Sequence, residues 1–321
     1  MTTPQIVHAP HPFPADLLGR MVALYNRSMA TVHGFFPMTA ELFRRRVLDF
    51  PMYRPEWLFL AMEGAEPVGM LHAAVMRHPA YEPAGTVEMV CVDPAWRGQG
   101  IAGRLLDTAL ERFRHERGLF YIDGGGAFPN TPFYSTLLNG SERSGIELAH
   151  AETVGLFRSR GFAPYRESIV MRADLTEELP PLALRFNALL AGADRDEHVR
   201  ETEATWFDLV FRGWKLTESS LYTATRREPV TRAVYVPMED LSRHEGRRLY
   251  GVFAVQTLPE ERGRGWATAH FHLLRRIVRS LGGECLELHV YADNAPAVRL
   301  YTNVGFKPQK RTCMFRRAPG A

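Results

Sequence analysis

Lysine is nearly absent from this chain: Lys215, Lys307 and Lys310 stand among 39 basic residues, the rest being arginine. Those arginines are spread along the sequence and the formal net charge is only +3, so the clustered positive charge that nucleic acids select is missing. Cysteine is scarce as well. Cys91, Cys285 and Cys313 form no Cys-x-x-Cys pair, which excludes a disulfide framework and points to reduced, buried thiols in a reducing compartment, the cytoplasm by default. No apolar run approaches the roughly 18 residues needed to cross a bilayer, and the N-terminus lacks a basic and then apolar leader, so neither secretion nor membrane insertion is expected. His270 and His272 are two apart in a helical stretch and diverge instead of converging on a metal. Neither a Gly-x-Ser-x-Gly elbow nor a Gly-Lys-Ser phosphate loop occurs, and no metal is expected.

What is present is core-forming material. The chain has 321 residues, 45% of them hydrophobic and 23% charged, enough for two domains that each bury a core. The informative stretch runs from Val92 to Leu106. An apolar strand, Thr86 to Val92, meets Asp93-Pro94, where the proline stops the ladder, and Gly98 and Gly100 then permit torsions a Cβ would resist. A helix follows at once. Unpaired N–H groups at a helix start, beside the positive end of its dipole, suit a pyrophosphate.

The same device recurs from Val255 to Ala267. Arg97 aligns with Arg262, Gly98 with Gly263, Gly100 with Gly265 and Ala102 with Ala267, which implies duplication of a whole domain. Around the first loop, Pro14 to Met29 and Thr39 to Leu48 read as helices covering a site, Trp57 to Met62 and Pro67 to Val75 as strands about a turn, and Ile101 to Glu116 as the loop's own helix. Leu119 to Asp123 is a strand, Glu152 to Arg160 a helix and Ala163 to Leu175 a closing strand. The polar, Pro-rich stretch from Thr176 to Pro181 marks the domain boundary. Beyond it, Leu182 to Leu190 and Val199 to Arg212 read as helices, Leu221 to Arg226 and Thr231 to Pro237 as a hairpin, and Arg248 to Thr257 as the strand before the second loop. Helix Trp266 to Leu281, strand Cys285 to Tyr291, helix Ala295 to Asn303 and strand Lys310 to Arg316 complete it.

A second landmark is shared, Phe157 to Phe162 in one copy and Tyr301 to Phe306 in the other. Arg97 and Gly161 are 64 positions apart, Arg262 and Gly305 only 43. The first copy therefore carries 21 extra residues, placed within a Gly, Pro, Asn and Ser-rich loop over about 125–149 that holds Phe128, Phe133 and Tyr134. Those aromatics either pack the loop or stack on an acceptor.

The order of strand, Arg-Gly-x-Gly-x-Ala, helix, strand, Asn-x-x-Ala-x-x-x-Tyr and Gly-Phe resembles the GNAT superfamily of acetyl-CoA-dependent N-acetyltransferases, in a layout similar to the mycothiol synthase branch and other double-domain members. The resemblance implies an α+β fold of two tandem domains, 1–175 and 176–321, each a mostly antiparallel sheet with a splayed parallel strand pair and flanking helices. It implies acetyl-CoA as cosubstrate, bound through Arg97, Gly98, Gln99, Gly100, Ile101 and Ala102 in one loop and Arg262, Gly263, Arg264, Gly265, Trp266 and Ala267 in the other. Backbone at Val90 and Val92, and at Val255 and Thr257, would pair with pantetheine, with Asn294 opening the closing helix. The second copy matches best. In the first, His150, Thr153 and Phe157 replace the Asn, Ala and Tyr of the motif, so a phenol acid exists at the usual place only as Tyr301. The implied partner is a small-molecule or peptide amine.

Acyl transfer needs a neutral amine, a polarised carbonyl and a proton for the leaving thiolate. Tyr301 suits the last role because a phenol is still protonated near neutrality. Glu88 is the candidate base of the first half, or else a strand glutamate facing solvent or an arginine. Glu287 and His289 share a strand face and either line a pocket or satisfy each other. Two other readings stay open. One half, the first, binds acyl-CoA or serves structure without catalysis; or Gly98-x-Gly100-x-x-Gly103 with Asp123 marks a dinucleotide-binding oxidoreductase, against which the second copy has Thr268 where the third glycine belongs.

Overall fold

A computed structural model describes residues 3–10, 12–30, 36–78, 80–126, 130, 133–134, 140–178, 182–200 and 210–320. Phe128 and most of the helix expected over Val199 to Arg212 lie outside those residues. The chain divides into two compact units: residues 1–139, 143–166 and 312–321 form one, and residues 140–142 and 167–311 the other. No helix among the described residues is long and apolar enough to cross a membrane.

In the first unit, β1 (Gln5–His8), β2 (Leu58–Glu63), β3 (Glu66–Met76) and β4 (Ala84–Val92) form an antiparallel meander. β5 (Tyr121–Gly124) then runs parallel to β4. Helix α1 (Ala15–Met29) buries Leu17, Leu18, Met21, Val22, Leu24 and Tyr25, the stripe its 3.6-residue period predicts. The second expected helix is a single α-turn, α2 (Ala40–Phe43), started by the Thr39 hydroxyl on the Leu42 amide and continued in π form over Arg44–Leu48. Helix α3 (Ile101–Arg114) lies on a floor that lacks side chains: a Cβ at Gly69 would approach Ile101 Cγ2 to 2.9 Å, and one at Gly85 would meet Phe113 at 2.6 Å. Close approach of helix to sheet therefore requires glycine at both positions. After α4 (Ala151–Arg158) the chain enters β7 (Ala163–Asp174).

Here the structure departs from the sequence reading. The strand expected to close the first domain pairs, over Ser168–Asp174, with β12 (Cys285–Tyr291) of the second unit. The last strand, β13 (Lys307–Arg317), pairs with β5 through Phe315–Arg317 and with β6 (Ile146–Glu147) through Thr312 and Cys313. Each sheet is closed by the strand that sequence order assigns to the other. Local apolar pattern says that a strand forms and which residues it buries, but not which sheet it joins.

The second unit's sheet continues from β12 to parallel β11 (Leu249–Thr257), then antiparallel β10 (Thr231–Pro237), β9 (Thr217–Thr223) and β8 (Ala193–Val199). Helix α5 (Leu184–Ala191) precedes β8, and α6 (Glu239–Glu245) leads into β11. Helix α7 (Trp266–Ser280) follows the second glycine loop, and α8 (Ala295–Asn303) opens under the Asn294 side chain, which accepts from the Ala297 amide. Phe271, Leu274, Tyr301, Val304 and Phe306 form the core beneath β11 and β12.

Candidate active site

The two glycine loops repeat in geometry as in sequence. After β4 and β11 comes one 3-10 turn, Pro94–Trp96 and Pro259–Glu261, and then glycines with left-handed torsions: φ is +77° and +74° at Gly98 and Gly100, +78° and +94° at Gly263 and Gly265. Any other residue would be strained by about 1–2 kcal/mol at each. Gly100 and Gly265 cap α3 and α7, and a glycine has no side chain with which to accept from the first amides of either helix. Space at Gly98, Gly100 and Gly263 is open around the missing Cβ. A diphosphate fits such a cradle on charge and on room.

The loop arginines hold the loops. Arg97 Nε donates to the Val92 carbonyl at 3.4 Å and Arg262 Nε to the Thr257 carbonyl at 3.2 Å, the same five-residue reach in both copies. Arg97 also donates to the Ser28 carbonyl at the end of α1, and Ser28 Oγ donates to the Val92 carbonyl at 3.0 Å. In the second loop, Glu261 receives Arg264, Arg226 and the Trp266 indole N–H at 3.1 Å. Trp266 and Ile101 are buried in apolar clusters, so of these two residues backbone, not side chain, can face a ligand. A Cβ at Gly265 would run into the ring of Phe186 on α5, a lining residue that no sequence motif marks.

The parallel pairs part where the resemblance requires. β4 and β5 stay in register from Ala84 and Tyr121 as far as Val87 and Gly124, β11 and β12 as far as Gly251 and Glu287. A bulge accompanies each split. His72 pairs with Met89 and Ala73 with Val87, which leaves Glu88 as the extra residue of β4. In β11 the register slips between Phe253 and Gln256, and Ala254 takes a left-handed φ of +48°. Ala254, Gln256 and their strand end are accessible, whereas β4 is buried throughout except at half-buried Val90. By loop alignment the position of Glu88 is Phe253 in the second copy, packed against Phe211 at 4.6 Å.

What fills the two splits differs. In the first unit Glu88, Arg143, Tyr134, His72, Tyr25 and Cys91 are all buried. Arg143 donates to the Glu88 carbonyl at 2.7 Å, and Tyr134 Oη lies 3.1 Å from His72 Nδ1. Burial, helped by Arg143, lowers His72 to about 3; burial raises Cys91 to about 12 and lifts Tyr25 and Tyr134 above the usual phenol range. The Phe133 and Tyr134 rings therefore pack the split, Phe133 edge-on to Phe50 at 5.4 Å. Phe157, at the place of the phenol, presses onto Gly124 and offers no proton.

In the second unit, Gly140–Glu142 lie across the last parallel pair. The Ser141 amide donates to Glu287 Oε1, a Cβ on Gly140 would collide with that carboxylate, and Gly251 faces the Ser141 side chain. Glu287 also receives Arg172 Nε at 2.6 Å, and Arg172 grips Glu245 with two bonds of 2.9 Å. Burial alone would raise Glu287, but His289, whose Nε2 lies 3.7 Å away, together with Arg172 and the Ser141 amide brings it down to about 2. Glu142 has no such support: burial pushes its carboxyl up to about 7, with His289 opposing and Glu287 reinforcing. Tyr301 packs edge-on to Phe271 at 5.3 Å, and burial, with Glu142 adding, raises its phenol above the usual range. The sequence reading missed Glu142 because a single glutamate in a Gly and Ser-rich loop has no periodic signature.

Twin glycine cradles, each beside a bulged strand that parts from a parallel neighbour, define a doubled acyl-CoA-type transferase fold. Comparison with known proteins agrees. The Acetyltransferase (GNAT) family model matches residues 23–134, and the FR47-like protein model matches residues 246–315. The mycothiol acetyltransferase of Pseudarthrobacter chlorophenolicus is 26% identical over 279 residues, covering 81% of this chain and 77% of that protein. That of Catenulispora acidiphila is 25% identical over 284 residues, covering 81% of each. Among solved structures, a GCN5-related N-acetyltransferase from Sphaerobacter thermophilus superposes with a TM-score of 0.65 at 16% identity, over 99% of this chain and 97% of that one. A tandem GNAT protein from the clavulanic acid pathway gives 0.66 at 15% identity, over 99% of both chains. The chain therefore carries a GNAT acetyltransferase domain and an FR47-like domain and is an N-acetyltransferase of tandem layout; GNAT acetyltransferases use acetyl-CoA.

Proposed function

We propose that the second half moves the acetyl group of acetyl-CoA to the amine of a small molecule by direct attack on the thioester, and that the first half is a non-catalytic acyl-CoA-binding or structural module. The seam between the copies is read after residue 175. The observation that carries this is the contrast between Tyr301 and Phe157 at corresponding places, a phenol with no hydrogen bond to it among the described residues against a ring with no proton to give. Both cradles suit a CoA diphosphate, so loop binding alone does not separate the halves. In the first half Glu88 is read as the buried counter-charge of Arg143, which it helps keep protonated against the pull of burial. The name of the relatives makes a mycothiol-related amine the first acceptor to try.

The test is a pair of loop variants. Gly100→Glu puts a carboxylate into the open space of its cradle, and Gly265→Glu does so while also displacing Phe186, so that each denies its loop to a diphosphate. CoA release that survives Gly100→Glu and stops with Gly265→Glu supports the reading; the reverse pattern overturns it. Calorimetry with acetyl-CoA on the same proteins reports which cradle binds.

A further inference from the structure

The split of the second unit has a proton donor in Tyr301, but its strand β11 offers no carboxylate at the bulge, where Phe253 and Ala254 stand. Three acid-base groups gather there instead: Glu142, Glu287 and His289. Glu287 is spent. Its oxygens hold Arg172 Nε, the Ser141 amide and the neighbouring His289, and it is ionised at every working pH. His289 is tied to it at 3.7 Å, with only 3% of its side chain exposed. Glu142 is different. It stands one residue beyond the Ser141 anchor, half-buried, with no hydrogen bond to its carboxyl among the described residues. Tyr301 belongs to the core beneath β11 and β12, and Glu142 adds to the rise of its phenol. The segment that carries it, Gly140–Glu142, is pinned over Gly251 and Glu287, where the two strands separate.

We infer that Glu142, brought to the second unit's split by the insertion of the first copy, is the general base that takes the proton from the bound acceptor ammonium. The inference rests on the proposal that the second half is the catalytic one. Protons balance as follows. The ammonium gives one proton to Glu142, which passes it to solvent; the neutral amine forms the C–N bond to the acetyl carbon as the C–S bond breaks. The sulfur leaves with the electron pair and takes the Tyr301 proton, and the second N–H proton, released as the amide forms, returns to Tyr301. A base that is half ionised near the working pH is matched to this exchange, and burial sets Glu142 there. The charges acting on it are His289 and Glu287, the latter paired with Arg172.

The test is Glu142→Gln in the full chain, with ethanolamine as the probe amine because its ammonium titrates well above neutrality, as a lysine does. Wild-type kcat/KM is expected to rise with pH through an apparent value near 7, and the variant to lose that limb with about a 100-fold or larger fall in rate, while calorimetry shows unchanged acetyl-CoA affinity. Glu142→Asp, which keeps a carboxylate, should keep the limb at a reduced rate. In parallel, carbon-13 NMR of protein labelled at the glutamate carboxyls should show one resonance titrating near 7 that is missing from Glu142→Gln. A limb that persists in Glu142→Gln, a limb lost with His289→Asn instead, or the absence of any such resonance overturns the assignment. If Gly265→Glu abolishes transfer while Glu142→Gln does not, only this inference fails; if transfer survives Gly265→Glu, the proposed function fails with it.

Discussion

Replacing Tyr301 with phenylalanine isolates a single oxygen atom. The ring keeps its edge contacts with Phe271 at 5.3 Å and its tilted contact with Phe306 at 5.9 Å. Because no hydrogen bond to that hydroxyl occurs among the described residues, its removal leaves no buried partner behind. Stability should therefore change by no more than about 1 kcal/mol in either direction. The chemical step should change far more. A positioned acid contributes roughly 100-fold to 10,000-fold, and at 1.36 kcal/mol per decade that is about 3–5 kcal/mol of barrier. Burial holds the phenol above its ordinary range, so it stays protonated throughout a neutral or mildly alkaline assay, and the wild-type rate should show no alkaline fall from this group below about pH 10. Thiol release at saturating acetyl-CoA gives kcat, calorimetry gives CoA-ester affinity and thermal unfolding gives stability. The reasoning fails if kcat is unchanged, or if it falls only in step with affinity.

Phe157→Tyr should create no second active site, because burial holds His72 neutral down to about 3 and raises Cys91, Tyr25 and Tyr134; transfer restored by Phe157→Tyr in a Tyr301→Phe background would refute this. Gly98→Ala and Gly265→Ala share the cost of a left-handed torsion, about 1–2 kcal/mol, but only the second also meets Phe186. Gly265→Ala should lose more acetyl-CoA affinity, and Phe186→Ala should recover part of it, with a coupling energy above about 0.5 kcal/mol in a double-mutant cycle; additive effects would exclude the contact. Glu287→Gln takes one of two carboxylates from Arg172, which keeps its Glu245 pair, and should cost about 1–3 kcal/mol. Glu287 is depressed from 4.5 to about 2 when folded, so its contribution is complete above 4.5 and fades as pH falls toward 2. Thermal unfolding of the wild type should therefore lose more stability than the variant between pH 5 and 2, and parallel curves would show that Glu287 carries no such linkage.

Much of this architecture is legible in the residues, for reasons that also mark the limits. β12 and α8 fall where apolar alternation, the Asn294 cap and Pro296 in the first turn put them. The glycines of both loops have the positive φ their spacing implies, because few other residues tolerate it. β8 escapes the same analysis: Ala193–Val199 is charged and exposed, an edge strand held by backbone pairing to β9 with no apolar face to betray it. The exchange of β7 and β13 is hidden too, since it depends on long-range pairing that leaves no mark on local periodicity. Within the site, Asn294 acts on its own helix and Trp266 on Glu261, uses that a motif cannot distinguish from ligand contact.

The duplication leaves two similar binding loops, so the difference between the halves has to be sought in proton exchange. Beside the first bulge, His72 is held neutral down to about 3, Cys91 stays a thiol up to about 12, and burial lifts Tyr25 and Tyr134 above the usual phenol range. Among the described residues of that split, these four are all moved away from neutrality by burial. In the second unit, one carboxyl has been left half-buried with an ionisation near 7, and the Tyr301 phenol has no hydrogen bond among the described residues. The insertion supplies both outcomes. Its Phe133, Tyr134 and Arg143 pack the first unit's split, and three residues of the same loop, Gly140–Glu142, belong to the second unit. Deleting the insertion should therefore not simply unmask a first active site. It would remove the packing from one half and the proposed base from the other, and transfer would fall even with both glycine cradles intact.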